Sequence, residues 1–285
     1  NIFKNENNLK FETNLNVEQN PISIGFLGYE KKKDSKATIG FNGNYYFGKK
    51  VLIENFSLKE DKNLILVKDL LLDKNLKFQN FKKIHLDYFD KDMRENNLTL
   101  ISKKKTINVM GSKFNANTLI EKLINGVKSK NTIINKKIDL KINIEQVFLD
   151  KEYIVNNLIG NIELKNDEIL NANLNANFSK FKKFKFTVNS KNNEKVTTLY
   201  SDEASPLIKR YKFIKGFKNG SLDFYSSKKQ NNTISNLKIY DFKLKELPIL
   251  TKILTLASLQ GIADILSGEG ITFDEFEMNF SNIDE

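Results

Sequence analysis

Residues 169–188 read ILNANLNANFSKFKKFKFTV, and apolar and polar positions alternate through most of this stretch. Successive side chains of a β-strand point to opposite faces, so this period of two predicts strands with one apolar and one polar face. The sequence therefore predicts two antiparallel strands here. Their apolar face is predicted to carry Leu170, Leu174, Phe178, Phe184, Phe186 and Val188, with Asn171, Asn173, Asn175 and Asn177 on the other face.

The same alternation recurs through most of the chain. In residues 8–17, for example, Leu9, Phe11, Leu15 and Val17 share one face. Such segments follow one another at intervals of about ten residues, separated by turns rich in Asn, Asp, Gly and Lys. Because strands follow strands without intervening helices, the pattern favours antiparallel pairing over parallel βαβ winding.

Three segments break the alternation and are predicted to be helices: Asn115 to Asn125, Ser205 to Ile214, and Leu247 to Leu266. Asn117 is predicted to cap the first helix and Ser205 the second, with Pro206 at the first helical position. The first two also share a pattern, since residues 115–120 (NANTLI) and 203–208 (EASPLI) both have Ala in the second place and Leu-Ile at the end. This match is either an internal strand–helix–strand repeat or a chance similarity.

A sheet with one apolar face must cover that face, and about three helices are too few to cover so many strands. We therefore expect a mainly β fold, in which a long antiparallel sheet curves so that its apolar face forms a groove. The longest of the helices is expected near the C-terminus. Such a groove could shield acyl chains, with a stabilisation of about 0.8 kcal/mol for each buried CH₂ group. The candidates for lining it are Leu170, Leu174, Phe178, Phe184, Phe186 and Val188.

The composition restricts the classes of function. The net charge is +11, but Arg94 and Arg210 are the only arginines among 46 basic residues. Sequence-specific nucleic-acid recognition relies on the planar arginine fork, so we expect no nucleic-acid partner. The chain has no cysteine, which excludes disulfides, thiol nucleophiles and cysteine metal sites.

The residues that could carry chemistry are isolated. His85 is the only histidine, and Asp274, Glu275 and Glu277 form an acidic cluster near the C-terminal end of the sequence. Neither has the partners that a catalytic triad or a metal site requires, and no phosphate-binding loop or nucleophile motif is present. We expect no catalytic residue, no metal and no cofactor, and a hydrolase or glycan-processing enzyme is the least favoured alternative.

Two segments allow more than one interpretation. Residues 178–186 (FSKFKKFKF) interleave Phe with Lys, as in a platform for single-stranded nucleic acid or a surface for anionic lipid headgroups. The favoured interpretation is two strands with buried Phe and solvated Lys. In the long C-terminal helix, Lys252, Gln260 and Asp264 argue against spanning a bilayer. That helix is either a buried core helix or one that plugs an apolar groove or docks on a membrane or partner.

The C-terminal segment LTKILTLASLQGIADILSGEGITFDEFEMNF, Leu250 to Phe280, resembles the closing motif of the AsmA-like C-terminal region of YhdP-type envelope proteins. That motif joins a Pro-Leu step, an apolar helix, a stop with two glycines and a Phe-Asp strand. The matching positions include Pro248, Leu250, Leu254, Leu256, Leu259, Gly261, Leu266, Gly268, Gly270 and Phe273. Upstream, Asp202, Ala204, Leu207, Tyr211, Gly216, Gly220 and Leu222 are similar to the preceding module, although Asn219 stands where the family commonly has a second glycine.

The resemblance implies a β-repeat segment over residues 1–107 and an AsmA-like region over residues 108–285, with the clearest match at 196–280. It also implies a periplasmic segment of a Gram-negative envelope protein, attached to the inner membrane by an anchor outside this sequence. The implied partner is phospholipid, bound or conducted by its acyl chains towards the outer membrane, with the terminal helix near a membrane. The alternative is a non-catalytic assembly module that binds outer-membrane protein partners.

Overall fold

A computed structural model describes residues 1–124, 137–165, 168–210, 216–245 and 270–283. The described chain is mainly β, and nearly all of its strand pairs are antiparallel, as the alternation predicted. It divides into two compact units, Asn1–Ile169 and Leu170–Glu285. This division falls away from the family boundary predicted between residues 107 and 108, which stays a prediction.

The described residues of the first unit form thirteen strands and one helix. They are β1 (Ile2–Lys4), β2 (Asn8–Asn16), β3 (Ile22–Ile24), β4 (Tyr29–Lys31), β5 (Ala37–Tyr46), β6 (Lys50–Glu60), β7 (Asn63–Asp73), β8 (Phe78–Asn80), β9 (Lys83–Phe89), β10 (Glu95–Lys103), β11 (Thr106–Asn115), α1 (Asn117–Ile124), β12 (Ile138–Phe148) and β13 (Ile154–Lys165).

In this unit each long strand pairs with the next long strand along the chain. The pairing runs β1–β2–β5–β6–β7–β9–β10–β11–β12–β13, with β8 beside β7 and β3–β4 as a separate hairpin. One pair departs from the antiparallel prediction, because β11 and β12 are parallel. The chain passes through α1 between these two strands, and such a crossover lets it re-enter the sheet in the same direction.

The second unit contains β14 (Glu168–Asn177), β15 (Lys183–Lys191), β16 (Glu194–Ser201), α2 (Ser205–Ile208), β17 (Phe217–Lys229), β18 (Asn232–Leu244) and β19 (Ile271–Ile283). Its strands pair in chain order, and each pair is antiparallel. Unlike the crossover at α1, the connection through α2 joins antiparallel neighbours, β16 and β17.

Both predicted helix caps are wrong. Asn117 is the first residue of α1, and the side chain that accepts a hydrogen bond from its backbone amide is that of Asn115, at 3.1 Å. Ser205 is the first residue of α2, whose N-cap is Ala204, and its hydroxyl donates to the backbone oxygen of Asn219 at 3.4 Å. The Ser205 hydroxyl therefore ties the helix to β17 instead of capping it. The third predicted helix lies outside the described residues.

The core of the second unit lies where α2 meets the sheet. Its buried side chains are Ala204, Ile208, Phe217, Leu222, Ile239 and Phe242. The rings of Phe217 and Phe242 stack with their centroids 5.3 Å apart, and Phe242 and Phe273 stack at 5.2 Å. We call these buried residues and Phe273 the aromatic cluster.

Candidate functional site

A row of apolar side chains crosses the whole sheet of the second unit. Directly opposed residues of paired strands project from the same face, so the strand register identifies the members of such a row. They are Leu174 on β14, Phe186 on β15, Leu199 on β16, Phe224 on β17, Leu237 on β18 and Met278 on β19. Met278 is 41% exposed and the other five are half-buried. We call this set the second-unit apolar row.

The structure brings the residues predicted from strands β14 and β15 together on this face. Leu174 lies opposite Phe186, and Val188 lies opposite the buried Ala172. The Phe178 and Phe184 rings meet edge to face, with centroids 6.4 Å apart. Leu170 is half-buried near the start of β14, two residues before Ala172. The alternation therefore assigned these side chains to one face correctly, whereas their role in lipid binding stays a prediction.

Most residues of the predicted terminal motif lie outside the described part of the chain. Gly270 and Phe273 are described, and the other eight motif positions named above lie outside the described residues, namely Pro248, Leu250, Leu254, Leu256, Leu259, Gly261, Leu266 and Gly268. Gly270 has a φ of 94°, and a Cβ there would lie 2.7 Å from the Leu244 backbone oxygen. Its conformation and its close approach to β18 both favour glycine. Phe273 stacks on Phe242 in the aromatic cluster.

Sequence reasoning missed most of the aromatic cluster because its residues do not alternate. Ile239 and Phe242 are three residues apart on β18, yet both belong to one buried cluster. Asp241 between them has a φ of 51°, and Gly220 on β17 has a φ of 80°. These left-handed residues rotate the backbone, so Phe242 reaches the face on which Ile239 lies. Gly220 is the local signal that could have indicated such an irregularity.

The opposite face of the second unit is polar. Directly opposed residues there form the row Asn175, Lys185, Tyr200, Asp223, Lys238 and Glu277. Lys238 Nζ lies 3.2 Å from a Glu277 carboxylate oxygen and 3.4 Å from one of Glu275. Hydrogen bonds from Asn236 and Lys238 lower the pKa of Glu277. Two members of the predicted acidic cluster are thus ion-paired on the polar face, and Asp274 is exposed.

The Phe–Lys segment divides between the two faces and the turn. Phe184 and Phe186 lie on the apolar face, while Lys185 lies opposite Tyr200 on the polar face. In the turn, Phe181 is 81% exposed and the ammonium of Lys180 lies 5.7 Å from the centroid of its ring. On the strands Lys185 is exposed, as the favoured interpretation predicted, whereas Phe184 and Phe186 are half-buried and not fully buried as it predicted.

The first unit has two apolar rows of the same kind, and each crosses nine strands. One row comprises Leu15, Ile39, Leu58, Ile65, Leu86, Leu98, Gly111, Ile144 and Leu158, and we call it the buried row because its central members are buried, although Leu15 at its edge is 45% exposed. The half-buried row comprises Thr13, Phe41, Phe56, Val67, Ile84, Leu100, Val109, Ile142 and Gly160. Leu58, Ile65, Leu86, Leu98 and Ile144 are at most 5% exposed. We call the two rows together the first-unit apolar face.

Buried polar side chains follow the buried row at one end of this face. Asp90 accepts hydrogen bonds from the side-chain amides of Asn115 at 2.7 Å and Asn96 at 3.2 Å, and from the backbone amides of Asp92 and Arg94. Asn96 in turn accepts from the Asn115 backbone amide at 2.7 Å. None of the described buried side-chain polar atoms lacks a partner.

A second buried carboxylate lies in the same row of the sheet. Glu60 accepts hydrogen bonds from the hydroxyls of Tyr29 and Ser35, each at 2.6 Å, and from the Asn63 amide at 3.1 Å. Burial raises the pKa of Glu60, but these bonds and the charge of Lys31 outweigh it and hold the pKa below the usual range. Desolvation raises the pKa of Tyr29. We call the hydrogen-bonded groups around Asp90 and Glu60 the polar closure.

A cavity of about 590 Å³ lies at the other end of the first-unit apolar face. Along β10, Asn96 belongs to the polar closure, Leu98 and Leu100 to the two apolar rows, and Ser102 to the cavity wall. These alternate residues point to one face, so the cavity is separated from the polar closure by the apolar rows. The described lining includes three lysines and no carboxylate.

The remaining chemical candidates have ordinary surroundings. His85 lies on the face of the sheet opposite the first-unit apolar face, where its Nδ1 is 3.0 Å from the Thr99 hydroxyl on the neighbouring strand. Across the described residues, His, Asp and Glu form no group of three or more that could hold a metal ion. Neither described helix has the length and apolar character needed to span a bilayer.

Comparison of the chain with family models, with characterised proteins and with solved structures finds no match. The AsmA-like resemblance therefore rests on the sequence motifs alone.

Proposed function

We propose that this chain binds or conducts phospholipid acyl chains along an apolar sheet face, as a periplasmic segment of an AsmA-like protein attached to the inner membrane. The observation that carries this proposal is the second-unit apolar row, which continues without a charged residue across six strands. An apolar face that stays half-exposed favours contact with hydrocarbon, because each buried CH₂ group contributes about 0.8 kcal/mol.

In this proposal the two faces of the second-unit sheet have different surroundings, with acyl chains on the apolar face and water on the polar face. Acyl chains on the apolar row would contact Leu, Phe and Met side chains, while ion pairs such as Lys238–Glu277 stay in water on the other face. Sliding along the row exchanges one apolar contact for a similar one, so it requires no chemical step. This proposal therefore assigns no catalytic residue, cofactor or metal to the chain.

The matched experiment places a photo-crosslinking amino acid at neighbouring positions on opposite faces. We expect capture of phospholipid from Leu174 and from Phe224, and little capture from Asn173 and Asp223, which lie one residue away on the polar face. Capture that is equal from both faces, or stronger from Asn173 and Asp223, would contradict the proposed site.

Lipid extraction of the purified chain separates the proposal from the alternative of an assembly module. We expect phospholipid to copurify with the wild type and to be reduced by Phe224→Glu, which introduces a charge into the row. A control variant, Asp223→Asn, changes the polar face only. Repeated recovery without lipid, together with crosslinks to an outer-membrane protein from the same positions, would favour the assembly module.

A further inference from the structure

We infer that the cavity of the first unit binds the anionic head of an amphiphile whose hydrocarbon chain lies on the half-buried row of the first-unit apolar face. The inference deepens the proposed function and rests on it for the idea that hydrocarbon occupies an apolar face. It concerns a separate unit and different residues, so the two can fail independently. The ligand class is a phosphate monoester or diester joined to an alkyl or acyl chain.

The wall of the cavity combines an apolar floor with positive charge. Leu71, Phe78 and Ile107 contribute apolar side chains, and Ser102 and Lys104 contribute polar groups. A volume of about 590 Å³ lies in the range of small-molecule sites, which are mostly apolar with a few polar groups that fix orientation. The mixed lining suits an amphiphile better than it suits an inorganic ion or a purely apolar molecule.

The charge at the cavity comes from lysines of two kinds. Lys137 lies 2.8 Å from a Glu163 carboxylate oxygen, and this hydrogen bond raises the pKa of Lys137, so its charge is balanced within the unit. Lys104 and Lys105 form no ion pair in the part of the chain that the structure describes. Two uncompensated ammonium groups at one wall provide a site for a phosphate.

The fold fixes the backbone of these two lysines. They form the two-residue turn between β10 and β11, and Lys104 has a φ of 59°. The Lys105 backbone oxygen accepts a hydrogen bond from the Asp139 amide at 3.0 Å, which fixes the turn against β12. The backbone at this corner of the cavity is therefore defined before a ligand arrives, which reduces the entropic cost of binding.

The cavity is also continuous with a surface for the hydrocarbon chain. Ile107 precedes Val109 on the same face of β11, and Val109 lies opposite Leu100 and Ile142 in the half-buried row. A ligand with its head at Lys104 and Lys105 can therefore extend its chain over the half-buried row. The polar closure at the far end of the face has its buried groups satisfied internally, so it offers no competing site for the head.

The test compares dodecyl phosphate, dodecyl maltoside and inorganic phosphate as probes of the full chain by titration calorimetry. We expect Lys104→Gln/Lys105→Gln to weaken the binding of dodecyl phosphate about tenfold and to leave dodecyl maltoside unchanged. The matched control is Lys32→Gln/Lys33→Gln, which removes two exposed charges from another part of the same unit and should change affinity less than about twofold.

Phe78→Ala gives a second readout, because it shortens the apolar floor and should weaken both detergents. Equal weakening by the two lysine pairs, or no weakening by either, would overturn the inference. If inorganic phosphate displaced dodecyl phosphate at equal concentration, the cavity would bind anions without selecting an amphiphile. That result would also overturn the inference. If Leu174 captured no phospholipid while Lys104→Gln/Lys105→Gln still weakened the binding of dodecyl phosphate, only the proposed function of the second unit would be contradicted.

Discussion

The two units close one end of an apolar face by opposite means. In the first unit the face ends at the polar closure, where Asp90 and Glu60 are 5% and 7% exposed and accept hydrogen bonds from several elements. In the second unit the face leads into the aromatic cluster, where α2 packs Ala204 and Ile208 against Phe217 and Phe242. One closure depends on directed bonds to carboxylates, and the other depends on excluded water and ring packing.

The difference between the two closures lies at the starts of two short helices, α1 and α2, which begin with a similar sequence. Each begins one residue after an alanine, with α1 following Ala116 and α2 following Ala204. The residue before the alanine determines which contacts hold the start of each helix. Asn115 is buried and donates to Asp90, whereas Glu203 forms an ion pair with Lys182 and leaves the buried contacts to Ala204 and its neighbours. A shared helix start can therefore serve either a polar or an apolar closure.

The largest effect is expected in the aromatic cluster. Phe242→Ala removes a ring that stacks on both Phe217 and Phe273, so it should lower the free energy of unfolding of the second unit by about 4 kcal/mol. Urea-dependent hydrogen exchange of β17 and β18 measures this change. Phe181→Ala is the matched control, because that ring is 81% exposed, and it should cost less than about 0.5 kcal/mol. Similar losses from the two variants would contradict an apolar closure.

A smaller loss is expected in the polar closure. Asp90→Ala removes the acceptor of the Asn115 side-chain amide and one of the two acceptors of the Asn96 side-chain amide, and it should lower the unfolding free energy of the first unit by about 3 kcal/mol. Exchange of the β10 and β11 amides in urea reports it. Glu6→Ala removes an exposed carboxylate from the same unit and should have little effect. An Asp90→Ala protein as stable as the control would show that the bonds to Asp90 do not hold the closure.

The smallest effect depends on pH and distinguishes the closures directly. Since the folded state lowers the pKa of Glu60, its carboxylate stabilises the fold fully above the ordinary value near 4.5, and this stabilisation is lost as the pH falls through the folded pKa. Glu60→Gln should therefore cost about 1.5 kcal/mol at pH 7 and progressively less in acid. Unfolding of both proteins between pH 7 and pH 3 tests this, and a constant difference would contradict the assigned role of the charge.

The sequence predicted the faces of regular strands and failed where the backbone departs from regularity. That Leu174 and Phe186 share a face follows from alternation, because a side-chain period of two places alternate residues of a strand on the same side. Phe242 could not be assigned in this way, since the left-handed residue Asp241 shifts it to the other face. The buried partners of Asp90 could not be assigned either, because Asn115 is 25 residues away in the sequence and nothing local distinguishes Asn96 from the many exposed asparagines of the chain.

By itself, the amino-acid sequence determined a mainly β chain whose strands each carry one apolar face, because side-chain alternation is a local property of the extended backbone. Only the tertiary structure decided which strands lie side by side, that β11 and β12 run parallel, and that one unit closes its apolar face with carboxylates and the other with stacked rings. These choices depend on contacts between residues far apart in the chain, where burial and partner geometry determine whether a polar group is stable.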